Sequence, residues 1–94
     1  MNGAELIADE RKRQVEEEGY SQEHDDMYSF GQLAYASACY ALHSVMPSQL
    51  QPMLLWPWLS ESWKPKSPIR DLIRAGALIA AEIDRLQREE EKPA

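Results

Sequence analysis

Asp71-Leu-Ile-Arg-Ala-Gly-Ala-Leu-Ile-Ala-Ala-Glu-Ile-Asp-Arg-Leu86 is the stretch whose reading decides the fold. Ile69, Leu72, Gly76, Ile79, Ile83 and Leu86 recur at steps of three and four, with Ile73 and Ala80 beside them. That is one stripe of a helical period, and the rest of the chain is expected to pack on it. Ser67-Pro68 supplies the start, a capping side chain followed by proline in the first turn. At about 100° per residue Leu78 falls opposite the stripe, and Ala75, Ala77 and Ala81 fill the flanks. From Ala75 to Ala81 the helix therefore has no polar face. Such a helix is either surrounded by its own chain or touches another one. A chain of 94 residues has little material for surrounding it. The expectation is a homo-oligomer, a dimer, joined through the Ala75–Ala81 face with Leu78 at its centre.

Upstream of this helix, residues 3 to 18 read as a first helix with a thin apolar stripe (Ala4, Leu6, Ile7, Ala8, Val15) ended by Gly19. Its Glu10, Gln14 and Glu17 share a face, which either is solvated or lines a pocket. In the connector from Tyr20 to Tyr28, Glu23, His24, Asp25 and Asp26 are consecutive. Asp and His cap turns and helix starts. The same oxygen-rich set would also suit Mg²⁺ or Mn²⁺, or a general base with its orienting group. Residues 29 to 46 read as the second helix, with Ser29 and Gln32 as a capping box and Tyr28 and Leu33 as a staple. Cys39 reads as a small core residue, since only His43 could activate it and nothing orients that His.

Residues 47 to 67 are expected to form a structured loop, since they hold all three tryptophans and disorder would expose their large apolar surfaces. It either covers the helices or raises Trp63, Lys64 and Lys66 as the lip of a pocket for an anionic ligand. The last helix runs from 68 to 88, and 89 to 94 form a frayed tail. The fold class is all-α: one small three-helix domain, the Trp/Pro-rich connection packed over it, completed by oligomerisation.

A net charge of −6 argues against general nucleic-acid binding, because phosphate contacts need clustered cations. It does not exclude a basic surface on a protein partner. A single cysteine excludes an internal disulfide framework and fits a reducing compartment. The longest apolar run, seven residues, is far short of a membrane span. With no basic region followed by an apolar run at the start, the chain reads as cytoplasmic.

These residues resemble a widespread family of small proteins encoded by tailed phages and prophages. The shared pattern is Glu10-Arg11, Arg13-Gln14, Glu18-Gly19-Tyr20 and His24-Asp25-Asp26, then Gly31-Gln32-Leu33-Ala34 and Tyr40-Ala41. It continues with Trp56-Pro57-Trp58, Trp63-Lys64-Pro65-Lys66, Arg70-Asp71-Leu72-Ile73, Ala75-Gly76-Ala77-Leu78-Ile79 and Glu82-Ile83. The resemblance implies a phage context and little chemistry. A weaker likeness is to the all-α nucleotide pyrophosphohydrolases of the MazG type, which hold Mg²⁺ with helix-borne carboxylates. It implies Glu10, Glu17, Glu23, Asp26, Asp71 and Glu82 as ligands, although only Glu23–Asp26 has the spacing of an E-x-x-D pair.

Two functions follow as expectations. One is an accessory protein that modulates a host protein by binding, with Trp56, Trp58, Trp63 and Leu78 at its interface. The other is a metal-dependent nucleotide binder or hydrolase. There Glu10, Gln14, Glu17, His24, Asp25 and Asp26 would form the ligand or metal cluster, and Lys64, Lys66, Arg70 and Arg74 would meet phosphates.

Overall fold

A computed structural model describes residues 1–46 and 55–92. Within them lie four α-helices and no strand: α1 (Gly3–Glu17), α2 (Gln22–Asp26), α3 (Gln32–His43) and α4 (Pro68–Glu91), with a 3-10 turn at Ser60–Ser62. The all-α expectation is met.

Local chemistry accounts for the boundaries. Asn2 caps α1 in a full capping box: its Oδ1 accepts from the Glu5 N–H at 2.9 Å, and Glu5 Oε1 accepts from the Asn2 N–H at 2.9 Å. Gly19, at φ +75°, turns the chain where a side chain would be strained. Ser21 Oγ accepts from the His24 N–H at 3.2 Å and starts α2, a short helix inside what reads as a connector. The Ser29–Gln32 box does not form. Gln32 Oε1 accepts from the Phe30 N–H at 2.8 Å, and Gly31, at φ +82°, is the residue that turns into α3. So α3 begins at Gln32 and ends at His43, three residues inside the expected limits at each end. Ser67 Oγ accepts from the Arg70 N–H and Pro68 opens α4, as its sequence implies. The helix then continues through Glu91, so Glu89–Glu91 are helical and not a frayed tail.

α4 is the central element, and the helix packing of α1, α2 and α3 runs to it. Its orientation reverses the expected one. Ile69, Leu72, Ile79, Ile83 and Leu86 are 43% to 68% exposed, whereas Ala75, Ala77, Leu78 and Ala81 are all below 5%. Ala75, Leu78 and Ala81 join one cluster with Leu33, Ala36, Cys39 and Tyr40 of α3. Small side chains on both helices allow a close approach, which larger residues would prevent. The Ala75–Ala81 face is therefore covered by the protein's own chain and is not a free dimer face. That buried side also carries two charged residues, each with its partners. Asp71, fully buried, meets His43 Nδ1 at 2.8 Å and accepts the Lys66 N–H at 2.7 Å. Arg85 holds Glu82 and Glu89, each at 2.7 Å. On α4's other flank Ile7 of α1 sits over Gly76, where a Cβ would lie 2.5 Å from Ile7 Cδ1.

From Leu55 to Ser67 the tryptophan segment does act as a cover; the expectation for 47–54 lies outside the described residues. Trp56 is 8% exposed, and its Nε1 donates to Leu59 O at 3.1 Å and Ser62 Oγ at 3.0 Å. Trp63 packs on Trp56 and on Tyr40, with ring centroids 4.9 Å apart in both pairs. Trp58 meets Trp56 at 5.3 Å and Tyr28 at 5.2 Å. Of the expected interface residues, Trp56 and Leu78 are buried in the core and Trp58 and Trp63 are partly buried against it, because burying large apolar area is favourable.

Candidate functional site: a cationic, aromatic-walled cleft

A cleft of about 270 Å³ lies between α1, the tryptophan segment and the middle of α4. Its back is apolar, made by Tyr40, Trp56 and Leu78, and Trp58 and Tyr20 form walls. Its polar lining comes from Glu10, Arg13, Gln14, Glu18, Ser62, Lys64 and Arg74.

Glu10 is 3% exposed and sits at the centre of the polar side. The Arg13 Nε and Nη2 donate to its two oxygens, each at 2.8 Å, in the planar two-bond fork that suits a carboxylate. Arg70 Nη2 donates at 3.2 Å from α4. The hydrogen-bonded Arg13 guanidinium holds the Glu10 carboxyl below its ordinary value, against burial, with Arg70 and Arg74 adding to the effect. Glu10 is thus ionised and fully engaged at neutral pH, and is neither a free base nor a free ligand. Arg74, whose Nη1 donates to Lys64 O at 2.6 Å, lies over the Tyr40 ring at 5.6 Å from its centroid. Burial raises the hydroxyls of both Tyr20 and Tyr40 above their ordinary value, so each remains a neutral donor.

Two polar atoms of this lining are buried and unpartnered among the described residues: Gln14 Oε1 and Trp58 Nε1. Gln14 is 4% exposed, and its Nε2 points to Glu10 Oε2 at 3.4 Å, which fixes the amide with its oxygen left over. An orphaned buried polar atom costs about 1–3 kcal/mol, so two on residues of one cleft mark a local cost that those side chains could relieve only by shifting toward a partner. The cleft lining has three cations (Arg13, Lys64, Arg74) against two carboxylates (Glu10, Glu18), in a chain of net charge −6.

The other expected site residues are dispersed. Glu17 is exposed and reaches only Arg13, at 3.9 Å. His24 stacks on Tyr20 at 4.6 Å and meets Asp25 at 3.0 Å through Nδ1. Asp25, fully buried, also accepts from Arg11 Nη2 at 3.0 Å. Asp26 pairs with Arg88 at 2.7 Å, and that guanidinium holds its carboxyl below the ordinary range. The six-residue cluster is therefore split four ways: Glu10 and Gln14 in the cleft, Glu17 on the exposed side of α1, His24 and Asp25 bracing α2 against α1, and Asp26 tying α2 to α4. No group of three or more His, Cys, Asp or Glu among the described residues could hold a metal ion. The donor set thus does not fit Mg²⁺ or Mn²⁺, because its carboxylates are already committed to arginines.

Of the expected anion contacts, Lys64 and Arg74 line the cleft. Arg70 is spent on Glu10, and Lys66 is engaged through its backbone N–H with Asp71. Cys39 is fully buried, with its thiol pushed up by burial, and His43 turns to Asp71, so no thiol–imidazole pair exists there. Arg13, Tyr20 and Tyr40 are cleft residues that the sequence reading did not select. Arg13 carried a signal, its i+3 spacing from Glu10; Tyr20 and Tyr40 join only through the tertiary fold.

No family profile, curated protein or solved structure matches this chain.

Proposed function

We propose that the protein acts by binding, and that the cleft takes a small anionic ligand with a flat ring system, of nucleotide type. The observation that carries this reading is the cleft's composition: aromatic walls and an excess of cations in an acidic chain. Aromatic faces stack a ring, and guanidinium and ammonium groups meet phosphate or carboxylate. A hydrolytic reading is less well supported, since Glu10, Asp25 and Asp26 are each neutralised by an arginine. Resemblance to phage and prophage proteins supports an accessory role in the host cytoplasm, where the chain, as a homo-oligomer, would modulate a host protein. No helix among the described residues is long and apolar enough to cross a membrane.

Titration calorimetry of the full chain with nucleoside mono-, di- and triphosphates in EDTA tests the reading. Binding without added metal is expected, weakened about tenfold or more by Lys64→Ala and Arg74→Ala. Absence of heat with every nucleotide would overturn it. Magnesium-dependent release of phosphate or pyrophosphate would replace it with a hydrolase.

A further inference from the structure

The strongest feature left unexplained by the cleft is the outward face of α4. Ile69 is 68% exposed, Leu72 50%, Ile79 47%, Ile83 51% and Leu86 43%. Solvated helices expose polar residues there, and here five large aliphatics occupy one side of a 24-residue helix. Their spacing, with Gly76 included, runs three, four, three, four, three: Ile69, Leu72, Gly76, Ile79, Ile83, Leu86. That is an a/d seam sustained over nearly three heptads, the pattern by which one helix packs along another of its own kind.

We propose that this stripe is the seam of an antiparallel homodimer. The inference goes beyond ligand binding and does not rest on it. Three observations favour a second copy. First, the stripe is complementary to itself when reversed. Ile69 faces the partner's Leu86, Leu72 faces the partner's Ile83, and the partner's Ile79 faces the Gly76 position. There the chain's own Ile7 already fills the space of a side chain, so the partner's Ile79 meets Ile7 rather than an open notch. Second, charge favours that sense. Lys66, exposed just before α4, comes opposite the end that carries Glu90 and Glu91, whereas a parallel pair would set those glutamates beside the partner's own. Third, the area is of the right order. The five exposed side chains offer about 500 Å² per copy, so a pair that covers them fully buries about 1,000 Å², the threshold of a specific interface.

Arg74 and Leu78, the α4 residues of the cleft, lie on the opposite side of the helix at about 100° per residue. Pairing therefore leaves the cleft open, and the two proposals fail independently.

The test is the solution mass of the full chain by multi-angle light scattering, at roughly 10 and 100 µM, a range set against the micromolar affinity expected of so small an interface. A mass of twice 10.8 kDa is expected at the higher concentration. Ile79→Glu with Ile83→Glu should give the monomer mass while retaining the wild-type helical circular dichroism. Leu72→Glu with Leu86→Glu provides a second break if the first variant fails to fold. Oxidative crosslinking fixes direction. Ile79→Cys, close to the two-fold axis, should crosslink to itself, and Leu86→Cys should do so only when mixed with Ile69→Cys. A monomer mass at both concentrations, which would mean that the stripe is covered by other means, overturns the proposal. So does a dimer that persists in both double variants. Efficient self-crosslinking of Leu86→Cys would refute the antiparallel sense.

Discussion

Replacing Gly76 by alanine should destabilise the protein, although alanine is the better helix former. The substitution gains about 1 kcal/mol of helix propensity. Against that, the new Cβ would lie 2.5 Å from Ile7 Cδ1, 2.8 Å from Cγ1 and 3.2 Å from Cγ2. Both branches of Ile7 crowd the position. Isoleucine in a helix has essentially one χ1 rotamer, so the side chain cannot swing away and α1 must shift outward. Overpacking of this kind costs about 1–3 kcal/mol. The net expectation is a loss of about 1 kcal/mol, a fall in Tm of about 4–8 °C for a domain of this size. The Ile7→Ala background should reverse the sign. With the crowding removed, Gly76→Ala should stabilise by up to about 1 kcal/mol, a coupling of about 2 kcal/mol between the sites. Urea denaturation of the four chains, followed by circular dichroism at one protein concentration, measures the cycle. If Gly76→Ala raises the midpoint in the wild-type background, or if the two effects simply add, the packing of α1 on α4 is misassigned.

Two further perturbations probe the polar supports. Asp71→Ala should cost about 3 kcal/mol in denaturation, because it leaves the Lys66 N–H and His43 Nδ1 facing a buried gap. A loss below about 1 kcal/mol would mean the latch between α3 and α4 carries little. Glu10 and Asp26 have folded-state pKa values below their ordinary 4.5 and 3.8. Their contribution is therefore complete above those values and lost as pH falls through the folded ones. Stability should decline on acidification below about pH 4.5, and Glu10→Gln should flatten part of that slope while lowering the plateau. An unchanged acid limb in Glu10→Gln would contradict its pairing with Arg13.

Much of the fold can be read along the chain. Ser67-Pro68 does open α4, Gly19 does end α1, and the tryptophan segment covers the helices because three indoles in a short stretch have nowhere else to go. The orientation of α4 could not be read. Its side bearing Ala75, Leu78 and Ala81 reads as apolar but as a face for a second copy, because Asp71 and Arg85 put charge at both of its ends. The aliphatic stripe opposite it looks like core. What decides is pairing that periodicity does not encode: Asp71 with His43, and Arg85 with Glu82 and Glu89. α3 then offers Ala36 and Cys39 to the small residues of α4. The site was half legible for a similar reason. Glu10, Gln14, Lys64 and Arg74 were selected by charge and spacing. The acidic run around His24 was over-read, because its arginine partners Arg11 and Arg88 lie far away in sequence.

The central claim, that the cleft is a ligand site completed by its occupant, is tested most directly at the tryptophan indoles. In a ¹H–¹⁵N spectrum of the full chain, Trp58 Nε1–H has no acceptor among the described residues, whereas Trp56 Nε1–H is bonded to Leu59 O and Ser62 Oγ. Titration with the nucleotide bound most tightly in calorimetry should move the Trp58 indole resonance, with the Gln14 side-chain amide shifting beside it. The Trp56 indole should move far less. A titration in which Trp58 and Gln14 stay fixed while binding saturates would place the ligand elsewhere and contradict the assignment of the cleft.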